Sequence, residues 1–380
     1  MRAPVKAIYL IDSLNSGGAQ RQLVELVKGL DRTRIQPLVV TYHDLPFFQA
    51  ELDTCGLEPY LLRKKDKPGL IFMGEFLSLL KQVRPAFVHS YLNTPNIYAR
   101  LSKLMGGVKK IITSERNISI AGSPIVAMIE RLTWRLSDRI IVNAHGVKTV
   151  LAQSIGISND NITVIHNGVA VDKFKRNDPA KVTEIRNKVG LSQIDGYLIG
   201  LIGRVTKQKN QLGLSNALHM IKSRRPDLDI RVAYWGATDD LSYVEVVKAL
   251  TKELKLQEIV FFCGPESEMA SVYAACDIVV LPSLWEGFPN VLLEAMAAAR
   301  PVIASDIVDN ARIVNDGVNG FLVPPQCSET LADRILELLD MPETLRRAMG
   351  ERGQKHVAQN YSIEQMVSAT MAFYEEMGLC

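Results

Sequence analysis

The sequence predicts an α/β protein built as two doubly wound domains in tandem. Three observations carry that expectation. Short β-branched runs alternate with helical patterns along the whole chain, which is the signature of strand–helix–strand units. The strand runs are almost continuously apolar, as in parallel strands covered by helices on both faces. The 380 residues also suffice for two or three domains at roughly 150 residues each, each with its own core.

In the first half the predicted strands are 5–11, 35–41, 86–90, 110–113, 139–142 and 162–165. Helical patterns lie between them at 19–30, 70–83, 96–103, 124–136 and 146–154. In the second half the strands are 197–203, 229–235, 259–263, 278–281, 301–304 and 320–323. The seam follows His166-Asn167-Gly168, where a polar stretch begins at Asp172. The boundaries read as 1–175 and 176–360, with residues 361–380 returning to pack on the first domain. In doubly wound sheets ligands gather at the carboxyl ends of the strands, so two facing domains imply a ligand in a central cleft.

Composition narrows the function. Hydrophobic residues at 47% and charged residues at 22% exclude a disordered or collagenous chain. Apolar runs such as 197–203 are less than half as long as a membrane-crossing helix requires. Five scattered cysteines without a C-x-x-C pair, and no signal peptide ahead of the first strand, point to reduced thiols and a cytoplasmic location. The net charge of +3 conceals an asymmetry: residues 1–175 carry +9 and residues 176–380 carry −6. The basic half suggests an anionic partner, with chance clustering as the plainer reading. Scattered basic residues and the lack of a recognisable binding motif argue against nucleic acid.

Three segments carry chemistry. In Glu286-Gly-Phe-Pro-Asn-Val-Leu-Leu-Glu294, a strand end delivers Glu286 and Pro289 opens a helix. The N–H groups at such a helix start suit an anion. Glu286 and Glu294 then stand at different depths of one pocket and can hold different parts of a long ligand. In Gly203-Arg-Val-Thr-Lys-Gln-Lys-Asn210, Arg204 and Lys209 follow a strand end and can neutralise a diphosphate, Arg204 as a planar fork and Lys209 as a point charge. In Asp12-Ser-Leu-Asn-Ser-Gly-Gly-Ala-Gln-Arg21, Gly17 and Gly18 allow close backbone approach to a ligand. Taken singly, each has an ordinary structural reading: a solvated helix face, a basic turn, a common α/β loop.

Together these segments resemble the retaining glycosyltransferases of family 4, which have the GT-B fold of two Rossmann-like domains. The Glu-x7-Glu motif within PSLWEGFPNVLLEAMA is the most specific element, supported by GRVTKQKN, SGGAQR and VIHNGVAVDKF. The resemblance covers almost the whole chain. It implies an N-terminal acceptor domain and a C-terminal nucleotide-sugar domain, with catalytic roles for Arg204, Lys209 and Glu286. It also implies donor contacts from Gly17, Gly18, Gly287, Phe288, Pro289 and Glu294, the last to the ribose hydroxyls, and places residues 263–268 beside the nucleobase. The donor is expected to be a UDP-sugar. Retention would proceed by front-face attack, with a donor phosphate oxygen taking the acceptor proton, so no side chain is assigned as general base.

No cofactor or metal is expected, because two cations can stabilise the leaving group. The one D-x-D string, Asp227-Leu-Asp229, precedes a strand instead of ending one. The chain departs from the family in two places. Where a histidine is common after the strand ending at Thr113, it reads Ser114-Glu-Arg-Asn117, leaving Arg116, Asn117 or His89 as acceptor or sugar contacts. His89 reads equally as a structural strand histidine. The usual Gly-Gly-x-x-Glu reads Val308-Asp-Asn-Ala-Arg312, so donor identity does not transfer.

Residues 123–138 mix apolar bulk and Trp134 with Arg131 and Arg135, and Arg63-Lys-Lys-Asp-Lys67 adds charge. This fits either a core-facing amphipathic helix or one lying on an anionic membrane surface. The second reading favours a peripheral location on the inner face of the cytoplasmic membrane and a polyprenyl-diphosphate-linked glycan acceptor. Two other functions share the expected fold: a sugar-nucleotide epimerase or soluble disaccharide synthase, and a non-catalytic nucleotide-sugar-binding scaffold.

Overall fold

The structure is a computed structural model that describes residues 3–63, 69–116, 124–191 and 196–380. The chain forms two compact units, Met1–Gly168 with Ile363–Cys380, and Val169–Ser362.

The first unit is built on seven parallel strands: β1 (Val5–Leu10), β2 (Ile35–Thr41), β3 (Tyr60–Leu61), β4 (Phe87–Tyr91), β5 (Ile111–Glu115), β6 (Arg139–Val142) and β7 (Ile162–Val164). Their order is β3-β2-β1-β4-β5-β6-β7. Alternate residues of β1 face opposite sides, as strand geometry requires. Tyr9 and Ile11 join Phe87 and Ile112 under the helices Gly18–Gly29 and Ile363–Glu376, while Ile8 and Leu10 join Val88 and Ile111 under the helix Gly69–Val83. Gly29 permits the first of these packings: a Cβ there would stand 2.7 Å from Val367 Cγ2.

The second unit has six parallel strands: β8 (Tyr197–Ile202), β9 (Ile230–Trp235), β10 (Val260–Gly264), β11 (Ile278–Leu281), β12 (Val302–Ser305) and β13 (Gly320–Val323). They run in the order β10-β9-β8-β11-β12-β13. Ile199, Leu201, Val232, Val280 and Ile303 form the core on one face with the helices Gln211–Arg224 and Ser328–Asp340. Both sheets have the order reversal of doubly wound folds, between β1 and β4 in one unit and between β8 and β11 in the other.

Four details depart from the sequence expectation. The division falls after Gly168, so residues 169–175 pack with the second unit, where the Phe174 ring stands 5.6 Å from that of Tyr273. On the return, Val169 N–H donates to the Tyr361 carbonyl at 2.9 Å, so the outgoing and returning segments lie side by side. The edge strand β3 went unpredicted because two residues show no periodicity. The expected helix at 124–136 changes from α (Pro124–Thr133) to 3-10 (Trp134–Leu136), and that at 146–154 passes from α (His145–Val150) into a π turn (Leu151–Ile155).

Candidate functional site

In the second sheet the reversal point lies between β8 and β11, and both central motifs leave from those two strands. β8 exits through Gly203 into the 204–210 loop, and β11 exits through Pro282 and Ser283. The strand ends pack closely. Gly236, after β9, has φ +155°, and a Cβ on it would stand 2.2 Å from the Gly203 carbonyl oxygen, so no larger residue fits. The two loops are joined by backbone and side-chain bonds. Leu284 N–H donates to the Gln208 carbonyl at 2.8 Å, Asn210 Nδ2 to the Pro282 carbonyl at 3.1 Å, and Gln208 Nε2 to the Trp285 carbonyl at 2.9 Å. Asn210 adopts the left-handed region and caps the next helix by accepting from Gly213 N–H.

This joining brings Lys209 and Glu286 together. Lys209 Nζ lies 2.6 Å from Glu286 Oε1, with both side chains mostly buried, and Gln208 Nε2 donates to Glu286 Oε2 at 3.3 Å. The sequence assigned these two residues to different parts of a ligand and did not anticipate the pair. A lysine ammonium has three donors, so one bond to Glu286 does not exhaust it. Arg204 is exposed, and among the described residues no carboxylate pairs with it. The arrangement offers two cations and one carboxylate at one strand edge.

Glu294 is held from the other side. Tyr273 Oη donates to Glu294 Oε2 at 2.7 Å. Burial first, then the adjacent carboxylate, hold the Tyr273 phenol well above its usual value, so it remains a donor. Phe288 is buried beside Tyr361, their rings 6.4 Å apart. Pro289 caps the helix Asn290–Ala297 instead of occupying its first turn, and the Asn290 and Leu292 N–H groups donate to the Phe288 and Pro289 carbonyls. The helix start therefore presents fewer unused N–H groups than expected.

In the first unit, Gly17 precedes the helix Gly18–Gly29 with φ −164°, which is ordinary extended backbone. The Gln20 amide, itself bonded to Asp12, lies 2.3 Å from where a Gly17 Cβ would stand, so a side chain of the same helix occupies that space. His89 is only 1% exposed. One ring nitrogen bonds Tyr374 Oη at 2.7 Å and the other Ser114 Oγ at 2.8 Å. Burial, and secondarily Arg116, hold it well below the usual histidine value, so it is neutral. Both ring nitrogens are thus engaged by protein partners. Arg116 sits at the carboxyl end of β5, stacked 5.1 Å from the Tyr91 ring centroid and donating to Asn167 Oδ1. Asn117 lies outside the described residues.

Residues 16–173 match the family model described as Glycosyltransferase Family 4, and residues 182–356 match that described as Glycosyl transferases group 1. The chain belongs to the family 4 glycosyltransferases of GT-B fold. A D-inositol 3-phosphate glycosyltransferase of Corynebacterium urealyticum is 29% identical over 245 residues, covering 63% of this chain and 57% of that protein. The chain thus spans little more than half of that relative. A UDP-Gal:alpha-D-GlcNAc-diphosphoundecaprenol alpha-1,3-galactosyltransferase of Escherichia coli is 23% identical over 323 residues, 82% of this chain and 80% of that one. Among solved structures, Anabaena Alr3699/HepE in complex with UDP and glucose superposes with a TM-score of 0.85 at 20% identity, covering 98% of this chain and 100% of that one.

Asp227 and Asp229 stand before β9, paired with Arg225 and Arg231. That is the sheet edge opposite Arg204. Among the described residues no three His, Cys, Asp or Glu side chains gather as a metal site. No described helix is long and apolar enough to cross a membrane. The residues that sequence reasoning missed are Tyr273, Gln208, Gly236 and Asn167. Each acts through a partner far away in sequence, so spacing carried no signal for them.

Proposed function

We propose that this glycosyltransferase moves a sugar from a UDP-sugar to a lipid-linked glycan acceptor, with retention of anomeric configuration and without a metal ion. The observation that carries the reading is the Lys209–Glu286 pair at the reversal point of the second sheet, with Arg204 in the same loop as Lys209. Departure of a nucleoside diphosphate builds negative charge on phosphate oxygens and positive charge on the sugar ring. Arg204 and Lys209 would stabilise the former in a preorganised site. Glu286, held by Lys209 and Gln208, would receive the sugar hydroxyls. Glu294, fixed by Tyr273, would accept from the ribose hydroxyls. The UDP complex of the similar Anabaena protein supports UDP, and the similar Escherichia coli galactosyltransferase, which acts on GlcNAc-diphosphoundecaprenol, supports a lipid diphosphate acceptor.

A thermal-shift comparison of UDP-, GDP- and ADP-sugars tests the donor, since a ligand that binds only the folded state raises its stability. UDP-sugars are expected to give the largest shift, and no shift with any of them would remove the reading. Transfer is expected to survive EDTA. Loss of activity on chelation, restored by Mg²⁺, would overturn the metal-free step.

A further inference from the structure

We infer that Arg116 anchors a phosphate-type anion carried by the acceptor; this deepens the proposed function and rests on the first unit receiving the acceptor. Arg116 is the first residue after β5, at the carboxyl edge of the first sheet, where ligands of doubly wound folds gather. Residues from the ends of two other strands meet it. Tyr91 closes β4 and lies under the guanidinium. Asn167, after β7, accepts from it. His166 beside Asn167 bonds the Asn143 carbonyl, which follows β6, at 3.0 Å.

Among the described residues, no counter-ion faces the charge on Arg116. Its Nε is buried without a hydrogen-bond partner. The groups that act on it electrostatically are the Tyr91 and Tyr374 phenols, and no carboxylate among the described residues pairs with it. His89 is neutral and adds no charge.

The contrast with Arg100 is instructive. Arg100 is fully buried and is matched by Glu115 and Glu130. Glu115 directly precedes Arg116, yet it serves Arg100 and Asn96 instead. A carboxylate one residue away is thus turned from a guanidinium that would otherwise pair with it. Sequestering a charge without an opposite charge is costly. A sugar hydroxyl offsets little of that cost, whereas a phosphate oxyanion offsets much of it through the planar guanidinium fork. Arg116 remains partly exposed, so a ligand can reach it. The donor diphosphate is already provided with Arg204 and Lys209 in the second unit, which leaves the acceptor as the source.

The test is a calorimetric titration of the full-length protein with inorganic pyrophosphate at saturating UDP. Wild type is expected to bind pyrophosphate under these conditions. Arg116→Gln is expected to weaken that binding tenfold or more, Arg116→Lys less, and Arg204→Ala hardly at all. UDP affinity should stay within twofold in Arg116→Gln. In wild type, pyrophosphate should shift the His166 C2 proton resonance, and in Arg116→Gln it should not. The inference is overturned if Arg116→Gln binds pyrophosphate as wild type does, or if UDP abolishes the pyrophosphate site. It is equally overturned if UDP affinity falls in parallel, because the anion is then the donor's. Failure of wild type to bind UDP would instead remove the donor reading, and the same pyrophosphate comparison without UDP would still report on Arg116. Unchanged melting of Arg116→Gln and Arg116→Met without ligand separates lost binding from lost folding.

Discussion

Lys209 and Glu286 hold one another at 2.6 Å, so neither acts as an independent ligand group. Lys209→Ala removes a cation and also leaves Glu286 without its ion-pair partner, which in the proposed reaction would stand beside the departing phosphates. It is expected to lower kcat/KM more than Arg204→Ala, which itself should cost over tenfold, about 1.4 kcal/mol of barrier. Adding Glu286→Gln to Lys209→Ala should cost less than the product of the single losses. Multiplicative losses in steady-state kinetics would mean the two side chains do not couple. Tyr273→Phe, which strips the donor from Glu294, should weaken UDP binding severalfold by calorimetry; unchanged affinity would detach Glu294 from the ribose. The sequence places Arg204, Lys209 and Glu286 in loops that follow strands and Glu294 inside the helix behind one of them, and the structure has them there. The partners were not legible: Tyr273 lies on the helix Met269–Ala275, and its hydrogen bond to Glu294 links it to the helix Asn290–Ala297.

Whole elements were easier to read than their neighbours. Strands β2, β6, β11 and β13 have the expected limits, because each is an apolar-rich run preceded by a polar residue. What spacing could not reveal is the buried knot joining the helix Asn93–Leu104, β5 and the helix Pro124–Thr133. There Arg100 bonds Glu130 and Glu115, while Glu115 Oε2 and Glu130 Oε1 have no hydrogen-bond partner among the described residues. Burial first, then the Glu130 carboxylate, raise Glu115 above its ordinary value of 4.5, outweighing the opposing pull of Arg100 and Asn96. The folded protein therefore keeps a proton that the unfolded chain releases above that value. Linkage then makes stability fall as pH rises through the window above the ordinary carboxylate value. Glu115→Gln should flatten the fall between about pH 5 and about pH 8, read as urea midpoints. An equal decline in both proteins would place the titrating group elsewhere.

Across the whole chain, charge and apolar surface bear on where the enzyme works. On the helix Pro124–Thr133, Met128 and Leu132 are 55% and 73% exposed, while Glu130 is buried. Next to it, Trp134 is buried under Arg135, so the apolar residues that sequence grouped together divide between core and surface. Arg63 is the one described residue of the 63–67 cluster. Anionic liposomes should retain the wild type at low salt and release it as salt screens the basic residues. Double substitution Met128→Ser/Leu132→Ser should weaken retention; if it does not, these side chains take no part in lipid contact.

The helix Ile363–Glu376 belongs to the first unit although the entire second unit separates the two in sequence. Met366, Met371, Phe373, Tyr374 and Leu379 are buried in that core. At about 1.5–3 kcal/mol for each large apolar side chain, their contribution rivals the roughly 5–15 kcal/mol that stabilises a whole domain. On the ribosome the N-terminal lobe must therefore wait, with its core open, through translation of Val169–Ser362, roughly 10–40 s at about 5–20 residues per second. The second unit can mature first, and the lobe made first is completed last.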